Sequence, residues 1–338
     1  MHNVVPSTRS LMELPADFLP KLAPYLGYVD RVNLGKVNHA LQDEVNSWRP
    51  KVKSIELQFD PNRSILMLDE IRVKYENLVL PGERPTTTCK VTRQGRRSKL
   101  LKNASQMDSI LRDVELIHRN QKAHFEKFEV YVTTGFEAKI IEKMGSLVPQ
   151  IRAKSLNLSM HCRTGQEKIL SSFQAGELES ITFNDMNCRR EECESHINLV
   201  CRLEQCQQAK RITIYTHSLQ PAEFELEHLT RVEFLDLKFY RDNLILTIAT
   251  VERWMRTLQL GTTDLARFKV EAPFDFQLED VVRHVEHRTR IRVEVRGNTC
   301  RLNLPTAKEN EYLAVIVEKI PGILNGTLTV RRNLIDSV

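Results

Sequence analysis

The spacing of hydrophobic residues changes near residue 50. Before it, Phe18, Leu19, Leu22 and Leu26 recur at helical spacing behind Leu14-Pro15, and proline is well tolerated in a first helical turn. Asp30 can cap a short second helix carrying Val32 and Leu34, interrupted near Gly35. Val37, Ala40, Leu41, Glu44, Val45 and Trp48 place an apolar stripe on a third helix that ends at Pro50. From Lys53 the period is two. The segment KSIELQF alternates apolar with polar residues, and the unit returns at 125–132, 155–160, 178–183, 211–215, 232–239, 267–270 and 291–295. Between these lie helical stripes: Met107, Ile110, Leu111, Val114 and Ile117; Phe136, Ile140, Ile141 and Met144; Ile197, Val200, Cys201 and Glu204; and Leu244, Ile248, Val251 and Met255.

Strands alternating with helices are the pattern of parallel β/α packing, because parallel neighbours need a crossover. A doubly wound sheet and an open strand-helix solenoid share it. A doubly wound sheet prefers strands that are apolar on both faces, whereas KSIELQF, KSLNLSM and KRITIYT keep one side polar. One open sheet face therefore favours the solenoid, although the units vary in length and lack the asparagine position of a standard leucine-rich repeat.

The chain has 338 residues, 41% of them hydrophobic, which suits about two domains with a substantial core. No stretch approaches the ~18 apolar residues of a membrane span, and the opening MHNVVPSTRS lacks an apolar signal region, so no membrane partner is expected. Seven cysteines, an odd number in a long chain, fit reduced thiols in the cytosol or nucleus. The net charge of +5 is localised. Residues 81–102 hold seven basic residues and one acidic residue, with two prolines, two glycines and no apolar periodicity, and read as a basic, mobile loop. Six net positive charges there leave the rest of the chain close to neutral. The loop reads first as a solvated connector, then as a contact for acidic surfaces or nucleic acid, then as a localisation or phosphorylation segment around Arg96-Arg97-Ser98. It has no aromatic residues for base stacking, so nucleic acid is not expected as a partner.

Catalytic signatures are lacking. No P-loop, no G-x-G-x-x-G and no G-x-S-x-G occurs, so neither an enzyme nor a cofactor is expected. His284-Val-Glu-His287 places its histidines three apart rather than the four of a zinc helix, and reads as a solvated helix end. Cys188–Cys193 and Cys201–Cys206 are each spaced C-x₄-C with His196 between, but residues 191–208 read as helical, which sets Cys201 and Cys206 on different faces rather than converging on a metal. They read as structural thiols, with a metal site as the lesser alternative.

Leu14-Pro15-Ala-Asp17-Phe18-Leu19, Leu22, Leu26 and the run Asp30-Arg-Val32-Asn-Leu34-Gly-Lys36-Val37-Asn38-His39-Ala-Leu41 resemble the F-box. That module docks on the Skp-type adaptor of cullin-RING ubiquitin ligases, and the likeness is greatest to the nematode F-box set. Arg202–Ile214 and His228–Leu237 resemble the FTH domain that follows the F-box in those proteins. The resemblance implies an α/β chain: a three-helix F-box at 11–50, a first strand and connector at 51–80, the basic loop at 81–102, and an FTH-type domain at 103–338. That last domain is expected to be an irregular, leucine-rich-repeat-like solenoid with a curved, largely parallel sheet. It further implies that Leu14, Pro15, Phe18, Leu19, Leu22, Leu26, Val32, Val37 and Leu41 bind the adaptor or hold its docking helices together. Pro20 and Pro24 depart from the pattern and should leave the first helix short, kinked or restarted. The implied function is substrate recognition for a cullin-based ligase, with the adaptor, a cullin and an unidentified target as partners. A ubiquitin-independent scaffold is the alternative.

Overall fold

The computed structural model describes residues 18–22, 52–78, 88–95, 97–120, 124–133, 137–146, 150–160, 165–185, 196–217, 219–229, 231–241, 243–261, 263–289, 293–319 and 325–334, with 34, 37, 41 and 43–45 as isolated positions. The fifteen described strands join one sheet. They are β1 (Ser54–Phe59), β2 (Arg63–Leu68), β3 (Ile71–Leu78), β4 (Thr88–Arg93), β5 (Lys99–Leu101), β6 (His124–Val132), β7 (Arg152–Met160), β8 (Ser180–Asp185), β9 (Arg211–Thr216), β10 (Phe234–Phe239), β11 (Arg267–Pro273), β12 (Glu294–Arg296), β13 (Thr299–Pro305), β14 (Glu311–Lys319) and β15 (Asn325–Leu334). Their order is β12-β13-β14-β15-β11-β10-β9-β8-β7-β6-β1-β2-β3-β4-β5.

This sheet overturns the expected leucine-rich-repeat-like solenoid with a largely parallel sheet, and no three-helix module stands among the described residues. Only β1 and β6 to β11 run parallel. Antiparallel wings flank them, β2 to β5 on one side and β12 to β15 on the other, so eight of the fourteen pairings are antiparallel. The cause is local. Asp69 (φ 52°) turns β2 into β3, and Gly297 (φ 57°) turns β12 into β13, and such tight turns can only join antiparallel strands. The Asp69 carboxylate also accepts from the backbone N–H of Lys53 at 3.0 Å and Ser54 at 2.8 Å, fixing the start of β1. The basic segment 81–102 is not one loop: β4 and β5 occupy 88–93 and 99–101 and pair antiparallel. Both sheet edges are three-residue strands bearing charge, Lys99 on β5 and Glu294 and Arg296 on β12, which discourages pairing with another chain.

The described helices are α1 (Phe18–Leu22), α2 (Gln106–Asn120), α3 (Glu137–Gly145), α4 (Gln166–Ser171), α5 (His196–Cys201), α6 (Glu204–Gln207), α7 (Ile248–Gln259) and α8 (Leu278–Thr289). Helices α3 to α7 lie in crossovers between parallel strands, while α2 packs on β2 to β4 and α8 on β13. Registered across neighbouring strands, Ile55, Phe128, Leu156, Ile181, Ile212, Leu235, Phe268, Val330, Val315 and Leu302 form one buried ladder through ten strands. A continuous ladder of this kind fixes register, since a slip of one residue would turn every apolar side chain to the wrong face. Gly326, on β15, is required by close approach: a Cβ there would lie 2.4 Å from Phe274 and 2.8 Å from the Glu318 carbonyl.

The N-terminal expectation falls mostly outside the described residues. Within them, α1 runs from Phe18 to Leu22 and includes Pro20.

Candidate interaction site

The alternation that buries one face of β1 and β6 to β11 leaves most of the other half-exposed, with Glu129 and Ser159 buried on it. Across the register, one row of that face reads Glu56, Glu129, Asn157, Thr182, Thr213, Asp236 and Lys269, and the next reads Gln58, Tyr131, Ser159, Asn184, Tyr215, Lys238 and Glu271. These are hydrogen-bonding, aromatic and charged side chains at regular spacing on a rigid support.

Two clusters stand out. At the carboxyl end of β9 and β10, the Tyr240 ring stacks on Tyr215 (centroids 5.9 Å apart) and on His217 (5.1 Å). The Lys238 ammonium lies 5.4 Å from the Tyr215 centroid and 3.5 Å from Glu271, whose other oxygen takes Lys269 at 2.5 Å. Burial works against the Lys238 ammonium, but Glu271 beside it holds its pKa above the ordinary lysine value. Burial pushes the Tyr240 hydroxyl up, so it stays a donor. Tyr240 is 53% exposed although its ring is already stacked, which presents a flat aromatic surface beside a fixed cation.

The second cluster centres on Glu129. It accepts from Tyr131 Oη at 3.0 Å and Asn157 Nδ2 at 3.2 Å and pairs with Lys127 at 2.8 Å. Burial alone would raise the carboxyl, but these donors outweigh it and hold the pKa below the usual carboxylate value. Burial and the same carboxylate push Tyr131 up to about 12.

The residues anticipated as adaptor contacts are placed unevenly. Leu14, Pro15, Leu26 and Val32 lie outside the described residues. On α1, Phe18 is exposed and Leu19 and Leu22 are half-buried; Val37 is exposed and Leu41 is buried. Leu41 is therefore a packing residue, while Phe18 and Val37 have apolar surface to offer. The structure does not gather the nine into one described surface.

His284 is not a solvated helix end: it pairs directly with Glu252 of the neighbouring helix α7. Of the cysteine-rich segment, Cys188 and Cys193 lie outside the described residues and the placement of the His196 side chain is not described. Cys201 and Cys206 are fully buried. No group of three or more potential metal ligands stands together among the described residues. Burial pushes the Cys201 thiol up to about 12 and that of Cys300 to about 11; burial, with Cys201 beside it, also raises Cys206. Because the thiolate is the reactive form, Cys89, Cys201, Cys206 and Cys300 should resist iodoacetamide at pH 8 in the native state and label fully in urea. Peptide mass spectrometry checks this, and alkylation of any of the four faster than global unfolding would contradict it.

Sequence reading overlooked Tyr215, His217, Lys238, Tyr240 and Glu271. The available signal was register: aligning KRITIYTH with FLDLKFY by their apolar positions sets Tyr215 beside Lys238.

A rigid sheet with one face shielded by helices and the other lined by paired donors, acceptors and rings is the form of a macromolecular recognition module. Residues 137–248 match the family model of the FTH domain, and they span α3 to the start of α7, including β7 to β10 with Tyr215, His217, Lys238 and Tyr240, while Lys269 and Glu271 on β11 lie beyond it. The match covers about a third of the chain. No curated protein and no solved structure matches it.

Proposed function

We propose that this chain is a non-catalytic substrate-recognition subunit of a cullin-based ubiquitin ligase. Its N-terminal segment binds a Skp-type adaptor, and through it a cullin, while the open face of β7 to β10 holds a target protein. The observation that carries the reading is the coincidence of the FTH match, a family associated with F-box proteins, with the strands that present the Tyr240 cluster. Such a subunit works in the cytosol or nucleus. It accelerates transfer by raising the effective concentration of target near a charged enzyme that other subunits supply. None of its residues touches the reacting atoms.

Recognition on this face rests on stacking over Tyr240 and on hydrogen bonds to the polar rows. A few large aromatic and cationic side chains dominate such interfaces. The adaptor end rests on apolar contacts, for which exposed Phe18 and Val37 are suited. Co-expression with a Skp-type adaptor should give a complex that survives size-exclusion chromatography. Leu14→Asp or Leu19→Asp should abolish it, because a carboxylate cannot enter an apolar contact without several kcal/mol of cost. An adaptor that elutes apart from the wild-type chain would refute the reading.

A further inference from the structure

Helices α7 and α8 do not close over the antiparallel wing. Between them and β13 and β14 lies a cavity of about 220 Å³, floored by Leu302, Leu304, Val315 and Val317. Ile248, Val251 and Met255 of α7 and Val281 and Val285 of α8 wall it on two sides. The interior is almost wholly apolar. Its mouth is not: Glu252, Arg256, Gln259 and His284 line it, and it adjoins a polar cleft bounded by Asp280, Arg283, His284 and His287.

The acidic groups at this mouth are already satisfied. Glu252 pairs with His284, and Asp280 with Arg283 at 2.6 Å. One cation is not: Arg256 is exposed and has no carboxylate partner among the described residues. An apolar interior under a mouth with uncompensated positive charge calls for a ligand with a greasy tail and an anionic head. The size also fits, since ~150 Å³ of apolar cavity suffices for benzene and this space is larger. We propose that it binds a small amphipathic carboxylate, with a tail of about eight carbons lying over β13 and β14 and the carboxylate facing Arg256 beside the Glu252–His284 pair. Apart from Ile248 at its boundary, the site lies outside the matched FTH segment.

The test is titration of the full chain with octanoate, against acetate, octanol and octylamine, read by calorimetry and thermal unfolding. Octanoate should bind saturably with a negative heat-capacity change and raise Tm progressively with concentration. Acetate, without a tail, should do neither. Octylamine should bind about tenfold or more weakly, because its cation meets like charge. Val317→Phe fills the floor and should weaken octanoate binding about tenfold or more. Arg256→Gln, at an exposed position that the fold does not need, should weaken octanoate about threefold and leave octanol unchanged. Failure of octanoate to bind overturns the proposal, as does binding that acetate or octylamine matches. Undiminished octanoate binding by a folded Val317→Phe protein would place the ligand elsewhere. If that variant does not fold, an Arg256→Gln protein that binds octanoate and octanol as the wild type does decides against the site.

Discussion

Trp254→Ala is expected to lower the free energy of unfolding by about 3–5 kcal/mol, the range for emptying a buried aromatic site. Trp254 projects from α7 into the core with none of its surface exposed. Phe268 of β11 meets it edge-on at 5.3 Å and Phe224 at 6.4 Å, so one side chain joins helix, sheet and the 219–229 connection. Its indole N–H donates to the Phe224 carbonyl at 3.3 Å, which also accepts from Arg253 at 3.0 Å. Alanine thus leaves a cavity without orphaning that carbonyl. Trp254→Phe should recover most of the loss, with about 1 kcal/mol missing for the hydrogen bond. Urea unfolding followed by circular dichroism checks both. A Trp254→Ala midpoint close to wild type would mean that α7 is not packed as described.

The second large effect belongs to an ion pair at the join of the parallel core and the β12–β15 wing. Arg332 Nε lies 3.2 Å from Glu311 Oε1, with side-chain exposures of 11% and 9%. The arginine also reaches the Leu258 carbonyl near the end of α7 at 3.5 Å. Two charges held this far from water attract strongly, and their desolvation cost offsets most of the gain. Arg332→Met should therefore destabilise by about 3–5 kcal/mol, because it strands the carboxylate, while Arg332→Met combined with Glu311→Leu should restore most of the loss. A double-mutant cycle in urea measures this. Equal and additive losses from the two single changes would show that the pair does not interact.

The parallel core was legible in the sequence because each strand alternates strictly: KSIELQF, KRITIYT and FLDLKF place their apolar residues on the buried ladder. The antiparallel wings were not. β2 (RSILML) follows β1 after a three-residue turn and is buried on consecutive positions, so it carries no clean period of two. β4 and β5 lie in a segment whose prolines, glycines and charge read as a loop, and their strand state comes from pairing with β3, a tertiary effect that local pattern does not contain. Gly297-Asn298 was a readable hairpin signal between β12 and β13. β15 could not be placed by any local rule, since it inserts between β14 and β11 and so joins the wing to the core. The recognition face was foreseen as polar. Its particular residues were not, because stacking of Tyr240 on Tyr215 and His217 depends on the register of two strands whose paired residues, such as Tyr215 and Lys238, lie 23 positions apart.

The account rests on a bridge with two separable ends: an adaptor-binding N-terminus and a target-binding sheet face. Quantitative affinity purification with mass spectrometry, comparing wild type, Leu19→Asp and a Tyr240→Ala/Lys238→Glu variant, tests it most directly. Tyr240 is exposed but Leu19 and Lys238 are half-buried, so a cooperative urea transition for each variant establishes first that it is folded. Leu19→Asp should lose the adaptor and the cullin while keeping the target proteins, and the sheet-face variant should do the reverse. Retention of the adaptor by Leu19→Asp, or joint loss of adaptor and targets by either folded variant, would contradict it.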